Sequence, residues 1–213
     1  MSERRWLQAG GIGGLLFVAL FLVNIALSMG EPSFDASGHD WLVHYQASHN
    51  LVLVSSYLGV YLASFILFVA ALWVRFRSVG DDPSVASTAL LISACVTLAM
   101  QMASGAVNEA AAIRVEHGLD VSEAGTLADL ATGFFVISWL GLGLMLLAAG
   151  FGALSSGALP RWLGLTAGLI GAGFLVVSAV PLAAFWLVPF FSFYVWVVSV
   201  SVVMLRSATK IVS

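Results

Sequence analysis

Six runs of apolar residues, each close to the ~20 residues that cross a ~30 Å hydrocarbon core as a helix, tie this chain to the bilayer. They fall at about 6–29, 50–74, 85–108, 131–154, 162–180 and 185–205. Only helices and closed barrels satisfy their backbone in lipid, and these runs lack the apolar/polar alternation of barrel strands. The expected fold is therefore all-α: a single polytopic membrane domain, 1–213, with six transmembrane helices. Composition supports this, with 61% hydrophobic and 9% charged residues against ~25% charged in soluble domains. A net charge of −3, with basic residues scattered at segment ends, offers no surface for nucleic acid.

Orientation follows from the cations, because cytoplasmic loops retain Lys and Arg. With the N-terminus inside, Arg4, Arg5, Arg75, Arg77, Arg161, Arg206 and Lys210 are cytoplasmic and only Arg114 is outside. Both termini are then cytoplasmic. The acids run the other way: Glu31, Asp35, Asp40, Glu109, Glu116, Asp120, Glu123 and Asp129 lie outside, with Glu3, Asp81 and Asp82 inside. Gly10 and Gly14 in the first span have the GxxxG spacing that lets another backbone come close. Cys95 lies in an apolar stretch and reads as a small buried core residue.

The third span carries the least expected residues. Gln101, Ser104, Gly105 and Asn108 fall at i, i+3, i+4 and i+7, one face of a helix, with Glu109 beside it. Polar groups at membrane depth are costly, about 2.5–3.5 kcal/mol for a mid-helix Asp, so this face should meet partners. At ~1.5 Å per residue, Asn24, Tyr57, Tyr61 and Gln101 all sit roughly 8–16 Å below the outer ends of their spans. Two readings stay open: an outward-open polar cavity, or a satisfied interhelical hydrogen-bond cluster. Asn24, Tyr57, Tyr61, Gln101, Asn108, Glu109 and Asp129 are the candidate ligand contacts.

The first outer loop has its own pattern. Ser37 and Asp40 have capping-box spacing, and Trp41, Leu42 and Tyr45 then share one apolar face, which predicts a short amphipathic helix on the outer membrane surface. Asp40 and His44 at i, i+4, with His49 and His117, are candidate metal ligands of the type Zn²⁺ takes. No ligand motif such as HExxH is present, and no cofactor is expected. Asp120 and Glu123 repeat the capping-box spacing before the fourth span.

Three stretches carry a resemblance. They are the loop ending His44-Tyr45, the second span with Leu51-Val52-Leu53-Val54 and Tyr57-Leu58-Gly59, and the turn Ala158-Leu159-Pro160-Arg161-Trp162-Leu163-Gly164. Together they resemble a broad group of bacterial six-helix integral membrane proteins of the domain-of-unknown-function kind. The resemblance implies a multi-pass place in the bacterial plasma membrane and brings no catalytic residues with it.

Three function classes follow. The first is a non-catalytic protein binding a lipid or amphipathic small molecule in an outer-leaflet polar cavity, or acting as a partner subunit or homo-oligomer. The second is a membrane-embedded enzyme with Glu109 or Asp129 as acid or base beside His44, His49 or His117. The third is a small transporter. No charged residue lies mid-span, which speaks against ion-coupled transport.

Overall fold

The computed structural model describes residues 3–57, 61–79, 84–179 and 185–210. The helices are α1 (Glu3–Leu27), α2 (Gly38–Tyr57), α3 (Tyr61–Val79), α4 (Ser84–Arg114), α5 (Val121–Ser156), α6 (Arg161–Ala179) and α7 (Leu187–Lys210), with a 3₁₀ turn at Val115–His117. Among the described residues there is no strand. Six stretches are long and apolar enough to cross a bilayer: Glu3–Leu27, Tyr61–Val79, Val85–His117, Val121–Ser156, Arg161–Ala179 and Leu187–Thr209.

The second of these stretches departs most from the expected spans. It begins at Tyr61, not Asn50, because residues up to Tyr57 belong to a preceding helix rich in His, Gln, Asn and Ser. The separate short helix expected in the first loop is the opening of that 20-residue helix. Asp40 and Ser37 cap it reciprocally: the Asp40 backbone N–H donates to Ser37 Oγ at 3.3 Å, and the Ser37 N–H to Asp40 Oδ2 at 3.1 Å. The Tyr57 side chain, and Asp81 and Asp82 altogether, lie outside the described residues.

Two helices overshoot a bilayer. The 31 residues of α4 and 36 of α5 make rods of about 46 and 54 Å at ~1.5 Å per residue, against a ~30 Å core. The overshoot exists because nothing breaks α4 before Gly118, which takes φ 87°. Asp120 then restarts the chain, its side chain accepting the Glu123 N–H at 2.8 Å. At the far end Gly157 (φ 68°) ends α5, its N–H donating to the Ala153 carbonyl at 3.1 Å.

In space the six spans close a ring. α1 packs on α3 and α7, and α3–α4, α4–α5, α5–α6 and α6–α7 complete the circuit. α1 acts as the wedge. Gly10 and Gly14, read as one packing face, point to different neighbours: a Cβ on Gly10 would collide with Ala71 of α3, one on Gly14 with Ser201 of α7. Closest backbone approach comes instead from Gly11 and Gly13, whose added Cβ atoms would stand 2.9 Å from the Ser201 carbonyl and 2.8 Å from that of Ser64.

The ring has a basic end, with Arg75 bound to Glu3 at 2.8 Å and to the Ala158 carbonyl at 3.3 Å, and an acidic end. The core nearer the basic end is dense. Phe68, Leu72, Phe76, Met145, Leu146 and Leu163 are fully buried, and Trp196 donates its indole N–H to the Leu163 carbonyl at 2.9 Å. A separate cluster of Trp41, Tyr45, Ala111, Leu119, Ala124 and Ala128 holds α2 on the α4–α5 hairpin. Outward faces are apolar, as at Ile12, Ile66, Ile92 and Leu169, which suits contact with acyl chains. Cys95 belongs to this outward set, against the expectation of a core position: it is exposed. A small apolar residue is as comfortable against lipid as inside the bundle, so apolarity alone does not place it.

Candidate functional site

Toward the acidic end the ring is hollow. A cavity of about 670 Å³ opens between α1, α2, α4, α5 and α7, with the first turn of α3 at its side. Its polar wall is the α4 face of Gln101, Ser104, Gly105 and Asn108, with Glu109 beside it. The helical repeat anticipates this grouping, because residues three and four apart must share a face.

Gln101, Ser104 and Asn108 each tie down a neighbour. Gln101 Nε2 donates to Ser138 Oγ on α5 at 2.8 Å. Ser104 Oγ donates to the Ala131 carbonyl at 2.8 Å. The Tyr45 hydroxyl donates to Asn108 Oδ1 at 3.0 Å, and Ser55 Oγ to Asn24 Oδ1 at 2.6 Å. What they leave over matters more. Gln101 Oε1, the Asn24 and Asn108 amide nitrogens and both Glu109 oxygens take part in no hydrogen bond or ion pair with a described residue. None of these atoms is sealed off, since the buried side-chain atoms lacking a partner are Trp139 Nε1 and Ser201 Oγ. The two sequence readings therefore merge: one atom of each amide is interhelical glue, and the other stays accessible in a residue lining the cavity.

Aromatic rings form the floor and the opposite wall. Phe21 stacks on Tyr194 with centroids 4.0 Å apart, Phe190 meets Phe21 edge-on at 5.5 Å, and Trp186 lies over Trp139 at 5.4 Å. Phe34 leans on Phe135 and Trp186 from the loop above. Met102 on α4 and Phe191 on α7 line the cavity while 63% and 48% exposed, so its wall also reaches the outer surface of the ring.

Of the ligand contacts read from sequence, Asn24, Tyr61, Gln101, Asn108 and Glu109 line the cavity. Asp129 does not; it is exposed, while Ala128, Ala131, Thr132 and Phe135 carry the lining face of α5. The candidate metal ligands scatter. Asp40 is held in its cap by Ser37, His117 Nδ1 lies 3.2 Å from the Ile113 carbonyl, His49 is half-buried on α2 away from the cavity, and His44 alone joins the lining. Among the described residues no three His, Cys, Asp or Glu side chains gather closely enough to hold a metal ion.

Sequence reasoning overlooked Glu31, Ser55 and Ser138. Glu31 was legible as an acid two residues before the loop's Ser33, and its approach to the cavity depends on the turn after α1, where its backbone N–H donates to the Ser28 carbonyl at 3.1 Å. Surrounding protein desolvates the Glu31 carboxyl and raises its pKa, only partly offset by the Ser28 hydroxyl, although the cavity leaves its surface accessible. Burial lowers the pKa of His44. Burial pushes the Tyr45 hydroxyl up to about 12, so it stays protonated and donates to Asn108. Hydrogen bonds from Ser37 hold Asp40 below the usual carboxylate range.

No protein-family model matches the chain, and no curated protein and no solved structure matches it. The reading of the site rests on its own geometry.

Proposed function

We propose that this is a non-catalytic multi-pass protein of the bacterial plasma membrane that binds a lipid or other amphipathic molecule in the hollow end of its ring. The basic end faces the cytoplasm, with both termini, and the acidic end with the cavity faces outward. The bias of seven in eight Lys and Arg residues to one end supports this orientation. On it, the opening turns of α2 lie at the outer membrane surface.

The observation that carries the reading is the pairing of walls. Accessible amide and carboxylate atoms on α4 stand across the ring from aromatic rings on α7, and the ~670 Å³ between them falls within the 300–1,000 Å³ range of small-molecule sites. Such a site suits a molecule with a polar head and an apolar body. The exposed lining residues Met102 and Phe191 favour entry from the surrounding acyl chains.

Native mass spectrometry of the detergent-released protein tests this. A stoichiometric bound species should accompany the wild type and be lost from Gln101→Leu. That substitution removes one interhelical hydrogen bond, worth about 0.6 kcal/mol on average, so the bundle should stay folded. A bare protein, or a bound species indifferent to Gln101→Leu, would reduce the polar wall to structural glue.

A further inference from the structure

We propose that the molecule held in this cavity is a lipophilic cation: one positive charge, of the organic ammonium kind, on an apolar body. The inference rests on the cavity reading above and adds the sign of the ligand's charge. Its first support is the census of ionisable groups. Glu31, Glu109 and His44 line the cavity, joined by the phenols of Tyr45 and Tyr61, and among the described residues no Lys or Arg does. Arg114, the sole described cation toward that end, is occupied by Glu123 at 2.9 Å and is absent from the lining. A phosphate or carboxylate head would therefore meet two carboxylates with no countercharge.

Depth supplies the second support. Glu109 lies eight residues beyond Gln101 along α4, about 12 Å at ~1.5 Å per residue, so the carboxylate stands toward the mouth and the amides lie deeper. The Glu109 oxygens have no described partner. Between the low-dielectric walls of a cavity an unpaired carboxylate gains more from a cation than it would at an open surface. Third, the walls that would receive the apolar body are aromatic. Trp186, Phe190 and Phe34 present ring faces and edges, and aromatic faces attract organic cations as well as apolar groups.

Acid should weaken the binding. Falling pH neutralises Glu31 and charges His44, and both changes repel or release a cation, while Tyr45 stays neutral throughout. The raised pKa of Glu31 starts this loss at a higher pH than an ordinary carboxylate would.

Three probes of similar shape decide the matter: tetraphenylphosphonium, uncharged triphenylphosphine oxide and tetraphenylborate, measured by equilibrium dialysis against the protein in zwitterionic nanodiscs, with empty nanodiscs subtracted. The cation should bind most tightly and the anion least. Glu109→Gln, which is isosteric, should lower affinity for the cation roughly ten- to hundredfold, the scale of one charged contact, and leave the neutral probe unchanged; Glu31→Gln should act in the same direction. Equal binding of cation and neutral probe, or an unaltered cation affinity in both variants, would overturn the charge preference and leave the cavity reading standing. No binding of any probe above empty nanodiscs would overturn both.

Discussion

The two ends of the ring are built from the same six helices and obey opposite rules. Near the basic end the space between helices is filled: Phe68, Phe76 and Leu72 are fully buried, and Gly150 of α5 lies so close to α6 that an added Cβ would stand 2.8 Å from the Gly164 carbonyl oxygen. Near the acidic end a cavity opens between the helices, and side chains tie its walls together, Gln101 to Ser138 and Tyr45 to Asn108. A membrane bundle gains little from moving apolar groups out of lipid, so close packing must supply its stability. The end that packs closely is thus the scaffold, and the end that gives up packing has freedom to hold something else.

The sharpest way to break this contrast is to hollow out the filled end. Phe68→Ala should destabilise the protein by about 3–5 kcal/mol, the usual cost of removing a buried Phe, seen as a large drop in thermal unfolding temperature in detergent. If Phe68→Ala costs no more than Gln101→Leu, the two ends are equivalent and the scaffold argument fails.

A smaller effect tests the desolvated acid at the hollow end. Because folding raises the pKa of Glu31, the folded state binds its proton more tightly than the unfolded one. Its ionisation therefore costs stability above the folded pKa, and that cost disappears as pH falls through it. Glu31→Gln should raise the melting temperature at neutral pH, with the gain vanishing in acid; a constant difference across a pH series would contradict the desolvation. The smallest effect is expected at Asp129, exposed and off the lining face. Asp129→Asn should shift stability by less than about 0.5 kcal/mol and leave bound ligand in native mass spectra unchanged.

How much of this was legible beforehand depends on distance along the chain. The α4 face was legible because Gln101, Ser104, Gly105 and Asn108 are related by one local repeat, and the Asp120 cap because it acts on Glu123 three residues on. Partners from other helices were not. Ser55 meets Asn24 across 31 positions and Ser138 meets Gln101 across 37, and no periodicity selects those serines from the others. Asp129 lies off the lining face, and acidity near a span boundary says nothing about helical phase; its neighbours Ala128 and Thr132 carry the face. His44 drew attention as a metal ligand, whereas its place beside Trp41 and the cavity depends on how α2 leans on α4 and α5.

The closure of the ring between α1 and α7 bears on how the protein is made. α1 leaves the ribosome first of the seven helices and α7 last, yet each is the other's neighbour, with Gly11 and Gly14 seated against Ser201 and Leu205. Until α7 enters the bilayer, the glycine groove on that side of α1 has only lipid or the insertion machinery to cover it. Assembly of this chain therefore finishes only after α7 has joined the bundle, and a nascent chain stopped short of α7 would leave the small-residue groove of α1 open to close approach by another helix.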